Sequence, residues 1–275
     1  MEIMTEAYYK AVFSNVDGTV LTSSHKVSPL TKDTIIKLQL HGIPFVFVSG
    51  RSPRALEQVD ALIGLTAPYI CYYGGLVLDQ NKRVLKSEGF QPKKAIAIKN
   101  YIKRCFPDVC CVACSYDTWI ADDVTNPWIR REAAIIQSVP VVKTLSSYLQ
   151  SEQQVHKLLC LGETEHLNAV GDDLRICFPE LSVFTTKEHY LEIMPREITT
   201  SDAIRLICGL YGINPSEAVS FGFNMRDIDM FQTVGCSAAV GNAAAPVKAA
   251  ADFVTPDNDH DGVFFGLKKL FPSFF

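Results

Sequence analysis

A chain of 275 residues that is 48% hydrophobic and 20% charged can bury one large core or two modest ones. Its formal net charge of −4 argues against a general polyanion binder, because nucleic-acid affinity rests on clustered lysine and arginine. No apolar run approaches the roughly 18 residues of a membrane span. Met1–Glu6 carries neither a basic nor an apolar leader region, so neither membrane insertion nor secretion is expected.

In chain order, Tyr9 to Ser14 reads as an apolar strand and Pro29 to His41 as a helix with Ile35, Ile36 and Leu38 inward. Gly42 follows where a helix-ending glycine belongs. Ile43 to Val48 is an unbroken apolar run, the pattern of a strand buried on both faces. A helix opened by proline is predicted over Pro53 to Ile63, and a third strand over Pro68 to Tyr72. This is one β-α-β-α-β half of a parallel sheet with right-handed crossovers. The character changes over residues 83–192, where β-rich pieces (Val109 to Ala121, His156 to Leu161, Leu181 to Thr186, Tyr190 to Met194) are separated by helices. Alternation then returns, with helices at Ser201 to Tyr211, Arg226 to Thr233 and Pro246 to Ala251, and strands at Ala218 to Phe221, Ser237 to Val240 and Asp252 to Thr255. The expected fold is α/β: a discontinuous parallel-sheet core, residues 1–82 and 193–275, with an inserted α+β cap at 83–192.

The nine cysteines are odd in number and lie mostly in apolar stretches, which fits reduced thiols and a cytoplasmic protein better than a disulfide framework. Cys111 and Cys114 have C-x-x-C spacing within the group Cys105, Cys110, Cys111 and Cys114, but no second pair follows. Buried strand cysteines are expected there rather than a zinc site.

Ligands of open parallel sheets sit outside the carboxyl ends of the strands, so each core strand should deliver polar residues just past its apolar run. The first delivers Asn15, Asp17, Gly18 and Thr19; the second delivers Ser49, Gly50 and Arg51, a hydroxyl and backbone N–H groups at a helix start suited to phosphate. Taken singly, these are also ordinary turn and helix-cap residues. They are joined by Val219-Ser220-Phe221-Gly222-Phe223-Asn224-Met225-Arg226-Asp227-Ile228-Asp229-Met230, then by Gly241-Asn242-Ala243, Val247 to Thr255 and Asp261-Gly262-Val263. The succession resembles the haloacid dehalogenase superfamily in its Cof-type branch, with Asn15 to Thr19 standing for the D-x-D-G-T signature. The later stretch stands for G-D-x-x-N-D-x-x-M. The resemblance spans the whole chain. It implies a Rossmann-like core with a large inserted cap, and a cytosolic, Mg2+-dependent phosphatase of sugar phosphates and related phosphomonoesters. It also implies that the first signature Asp attacks phosphorus and the second acts as acid/base.

Against that pattern the nucleophile position is Asn15, the motif-four metal ligand is Phe223, the neighbouring Asn is Arg226, the lysine falls at Thr200, and an Asn-Gly pair is Tyr73-Gly74. The expected site therefore has Asn15, Asp17 and Thr200 at catalytic positions. Gly18, Thr19, Ser49, Gly50, Arg51 and Arg226 stand at phosphate positions, and Asp17 and Asp227 remain for a weakened or lost Mg2+ site. A carboxamide is a weaker nucleophile than a carboxylate and a weaker ligand for a hard dication. Arg226 is expected to offset charge by pairing with Asp17 or Asp227. The leading expectation is a phosphatase homologue impaired in catalysis that binds a phosphorylated metabolite or a protein partner. The alternative is an active Mg2+-dependent hydrolase in which Asn15 is an engineered change. In a third reading Phe223 and Tyr73 fill the former metal and phosphate space of an interaction module. Trp119 and Trp128 stand near polar residues of the cap, where ligand contact and packing are both open.

Overall fold

The structure, a computed structural model, describes residues 8–136, 138–148 and 153–275; the predicted leader-free segment Met1–Glu6 lies outside them. The chain divides into two compact units, Met1–Lys86 with Thr199–Phe275, and Ser87–Ile198.

In the first unit, β1 (Ala11–Asn15) is buried along its whole length. It is followed by α1 (Pro29–Leu40), β2 (Phe45–Val48), α2 (Pro53–Ile63), β3 (Tyr69–Cys71), β4 (Leu76–Leu78) and β5 (Val84–Ser87). Helix α1 starts where expected because the Ser28 side chain accepts the Thr31 N–H and proline occupies the first turn. Helix α2 ends on Gly64 in the left-handed region, φ 82. The predicted third strand is cut short because Tyr72 and Tyr73 both turn to positive φ, 50 and 49. The extension through antiparallel β4 and on to β5 was not predicted; three apolar residues after a glycine pair give too short a pattern to read.

The second unit contains α3 (Pro92–Cys105), β6 (Cys110–Ser115), β7 (Thr118–Ala121), α4 (Pro127–Ile136), β8 (Val141–Val142), α5 (Leu145–Tyr148), β9 (Lys157–Leu161), α6 (Thr164–Cys177), β10 (Leu181–Lys187) and β11 (Tyr190–Pro195). Its sheet runs β10-β11-β9-β6-β7-β8, antiparallel except at the β7–β8 edge. The β-rich piece Val109 to Ala121 is a hairpin, bent where Tyr116 takes φ 50. Cys111 packs toward the apolar core of this unit, whereas Cys114, three residues along the same strand, points to the opposite face. The two thiols therefore do not converge on one ion.

The chain re-enters the first unit with α7 (Thr200–Tyr211), β12 (Ala218–Gly222), α8 (Asp227–Phe231), β13 (Cys236–Ala239), α9 (Ala245–Ala250), β14 (Phe253–Val254) and α10 (Gly262–Leu270). The first-unit sheet has the order β14-β13-β12-β1-β2-β3-β4-β5, parallel from β14 to β3. Strand β1 lies between β12 and β2, so the loops after these three strands open side by side. Among the described residues no helix is long and apolar enough to cross a membrane.

A buried imidazole anchors the second unit near its chain entry. His156 is fully buried; its Nδ1 accepts the Tyr116 N–H at 3.1 Å, which leaves the proton on Nε2, 3.1 Å from Ser87 Oγ. Burial pushes its pKa down to about 4 from 6.5. A histidine depressed in this way binds fewer protons folded than unfolded, so its stabilising contribution is whole above pH 6.5 and is lost as pH falls toward 4. Comparing urea midpoints of the native chain and His156→Gln across that window should show the variant losing less on acidification. The expected difference reaches about 3 kcal/mol; parallel pH profiles would contradict it.

Candidate functional site

At the carboxyl end of β1 the chain leaves the sheet through Asn15, φ −61 and ψ 154, and turns at Gly18, φ 66. Asn15 is buried, and its Nδ2 donates to both carboxylate oxygens of Asp227, at 2.8 and 2.9 Å. Asp227 opens α8 on the neighbouring strand loop. Its Oδ2 also accepts the backbone N–H groups of Phe223 (2.8 Å) and Asn224 (3.0 Å). The loop closes this tightly because residue 222 is glycine: a Cβ there would lie 2.6 Å from Asp227 Oδ2. Burial raises the Asp227 pKa from 3.8 to about 6, against the opposing pull of these hydrogen bonds and the Arg226 charge.

Asp17, part-exposed, makes a two-point contact with Arg51: Nε to Oδ2 at 2.7 Å and Nη2 to Oδ1 at 2.5 Å. This fork geometry is the strong form of an arginine–carboxylate pair. Arg51 is held at the start of the β2–α2 connection, where its N–H donates to Ser49 Oγ at 3.2 Å. Arg226, expected to pair with Asp17 or Asp227, places its guanidinium 4.7 Å from the ring centroid of Tyr73 and acts on Asp227 through its charge.

Two aromatic rings line the same strand ends. The Tyr73 ring lies against Gly50, where a Cβ would come within 2.6 Å of it, and the Phe223 ring lies against Gly18, where a Cβ would meet it at 2.9 Å. Tyr73 is held by its N–H donating to Ser49 O at 3.0 Å and by Thr200 Oγ1 donating to its carbonyl at 3.2 Å. Thr200 is buried at the first position of α7. The residue after Tyr73, Gly74, has φ 107, and a Cβ on it would sit 2.2 Å from the Thr199 carbonyl oxygen. Thr19 Oγ1 is buried without a hydrogen-bond partner.

Asn15 to Thr19 thus follow β1, Ser49 to Arg51 follow β2, and Phe223 to Asp227 follow β12, while Thr200 stands on α7 and is tied to Tyr73 past β3. Two contacts were not anticipated: the Asn15–Asp227 clasp and the Arg51–Asp17 fork. Asn242, a motif residue to which the sequence assigns no role, donates from Nδ2 to Gly18 O at 2.9 Å and holds the β1 turn. For a dication, the donor set consists of two carboxylates already engaged by N–H donors, an amide and a phenyl ring. Mg2+ prefers anionic oxygen ligands in near-octahedral array, and of these groups only the two carboxylates supply them. Among the described residues no group of three or more histidine, cysteine, aspartate or glutamate side chains forms a metal cluster.

The profile of the haloacid dehalogenase-like hydrolase family matches residues 12–267. A candidate phosphatase of Haemophilus influenzae is 32% identical over 265 residues, covering 96% of this chain and 99% of the relative. The crystal structure of TM0651 from Thermotoga maritima is similar with a TM-score of 0.84 at 29% identity, covering 95% of this chain and 97% of that one. A haloacid dehalogenase-like hydrolase from Bacteroides thetaiotaomicron gives a TM-score of 0.84 at 23% identity, covering 96% and 100%.

Proposed function

The chain belongs to the haloacid dehalogenase-like hydrolase family, and from that premise we propose a phosphatase homologue that no longer performs aspartyl-phosphate hydrolysis. In this reading the strand ends serve as a metal-independent binding site for a small phosphorylated metabolite in the cytoplasm. The observation that carries it is the Asn15 amide donating to both oxygens of Asp227. Phosphoryl transfer asks the protein for an anionic nucleophile and for cations on the equatorial oxygens. Asn15 supplies no such nucleophile, and both oxygens of Asp227 accept N–H donors. Asp17 is held by Arg51, so neither remaining carboxylate is left to gather Mg2+.

Binding is a different requirement from turnover, and the groups for it persist. Arg51 and Arg226 bring two guanidinium groups to the loops, α2 opens beside them, and the Thr19 hydroxyl lacks a partner. Asp17 is part-exposed, so an incoming phosphate competes with it for Arg51. A protein partner is the competing occupant. The engineered-change alternative accounts for Asn15 alone and leaves Phe223 and Thr200 unexplained.

The test pairs catalysis with binding. A panel of sugar phosphates and p-nitrophenyl phosphate with Mg2+ should release no phosphate above background. Calorimetry with inorganic phosphate should give saturable binding without metal, weakened about tenfold or more in Arg51→Ala, the loss of a charge-assisted contact. Mg2+-dependent turnover that disappears in Asp17→Ala would overturn the reading.

A further inference from the structure

Cys111 does not meet its C-x-x-C neighbour Cys114, but it does meet another thiol. In the β6–β9 ladder Cys111 stands directly opposite Cys160, within an antiparallel register that runs unbroken from Cys110 to Cys114. Directly opposed residues share a face of the sheet. Both side chains accordingly join the apolar core that Ile98 of α3 and Leu167 of α6 help to build. Among the described residues no other two cysteines are opposed in a strand ladder. Cys105 and Cys177 are exposed, each the last residue of its helix.

The ladder itself sets the separation of the pair. Opposed Cα atoms lie about 4.5 Å apart in a non-hydrogen-bonded antiparallel pair and about 5.5 Å apart in a hydrogen-bonded one. Both values fall inside the roughly 4.4–6.8 Å over which a disulfide closes without backbone movement. The thiols are already in contact, because Cys160 is hydrogen-bonded to Cys111. That bond, together with burial, holds the Cys160 thiol well above the ordinary thiol range, with the Lys99 charge pulling the other way. Cys160 therefore keeps its proton and points it at Cys111 Sγ. Cys160 is also buried, whereas Cys111 is part-exposed, so a reagent arriving from solvent meets Cys111 first.

We propose that Cys111 and Cys160 form a redox modification site, which closes to a cross-strand disulfide when the protein meets hydrogen peroxide. The Cys111 sulfur attacks one peroxide oxygen and the O–O bond breaks. Cys111 becomes a sulfenic acid, and the other oxygen leaves as water with the thiol proton. The Cys160 sulfur then displaces the sulfenic oxygen and the S–S bond forms. The displaced hydroxyl takes the Cys160 proton and leaves as a second water. Both thiols are oxidised by one electron each, and the peroxide is reduced. A dithiol reductant returns the pair to thiols by exchange. The site is built from residues of the second unit alone and owes nothing to the phosphate-binding reading.

Peptide mapping of the full chain tests it. The folded protein is treated with hydrogen peroxide, its remaining thiols are alkylated in denaturant, and it is digested without reductant. The expected product is a peptide pair whose fragmentation places the link between Cys111 and Cys160. That pair should be absent from the untreated chain and should disappear with dithiothreitol. In Cys160→Ala the sulfenic acid at Cys111 has no thiol to displace it, so dimedone labelling of Cys111 should rise severalfold over the native chain. A urea midpoint near that of the reduced native chain shows that the variant is folded. Recovery of Cys111 without a link to Cys160 would overturn the proposal, and so would unchanged dimedone labelling in the folded variant. The map of the unmodified chain decides the pairing by itself.

Discussion

Asn15→Asp, which restores a carboxylate at the end of β1, is expected to weaken the first unit by about 3 kcal/mol at pH 8 and above, equivalent to a rise of roughly two pK units on one acid, and by about half of that at pH 7. The amide nitrogen now donates to both oxygens of a buried carboxylate from 2.8 and 2.9 Å. An aspartate in its place sets two anionic groups face to face, away from water, where they cannot both ionise. The two then share a proton. The Asp227 carboxyl, already raised to about 6 by burial, is pushed further upward. An acid whose folded pKa exceeds its unfolded value stabilises the fold below the unfolded value and loses that contribution as pH rises through the folded one. The variant should therefore approach the native chain around pH 4 and fall behind increasingly above pH 6. Urea midpoints over that range measure the gap, and excess Mg2+ should narrow it in the variant while leaving the native chain unmoved. A gap independent of pH would mean that residue 15 does not face Asp227 as described.

How much of this was readable without coordinates depends on distance along the chain. The helix Pro53–Ile63 coincides with its prediction because both ends are marked locally, by a proline in the first turn and by Gly64 just past the last. Asp17, Gly18 and Thr19 were placed in the turn after the first strand because Asp-Gly-Thr is turn chemistry and the preceding run is apolar. The contacts that define the site are of another kind. Asn15 and Asp227 are 212 positions apart and Arg51 and Asp17 are 34 apart, and no local pattern announces which donor meets which carboxylate. Arg226 was expected to offset the charge of those carboxylates, and its charge does act on Asp227. Its place beside Tyr73 depends on two successive aromatic residues at positive φ, a conformation that nothing in their side chains favours.

The largest gain in function is expected from changing three residues at once: Asn15→Asp, Phe223→Asp and Thr200→Lys. Together they return an anionic nucleophile, a second oxygen donor and a cation to loops that the fold already holds side by side. Each change alone meets an obstacle that is visible in the structure. Asn15→Asp adds uncompensated charge against Asp227. Phe223→Asp exposes Gly18 by removing the ring packed on it, and leaves the amide at position 15. Thr200→Lys breaks the hydrogen bond from the Thr200 hydroxyl to the Tyr73 carbonyl and brings in a buried ammonium with no new acid to balance it. Groups that act as a unit are strongly non-additive, so the triple variant should hydrolyse p-nitrophenyl phosphate with Mg2+ roughly a thousandfold faster than any single variant. It should also bind Mg2+ measurably by calorimetry. If Asn15→Asp alone reached the same rate, the ring at 223 and the hydroxyl at 200 would be bystanders. Asn15 would then be the single interruption of a working enzyme.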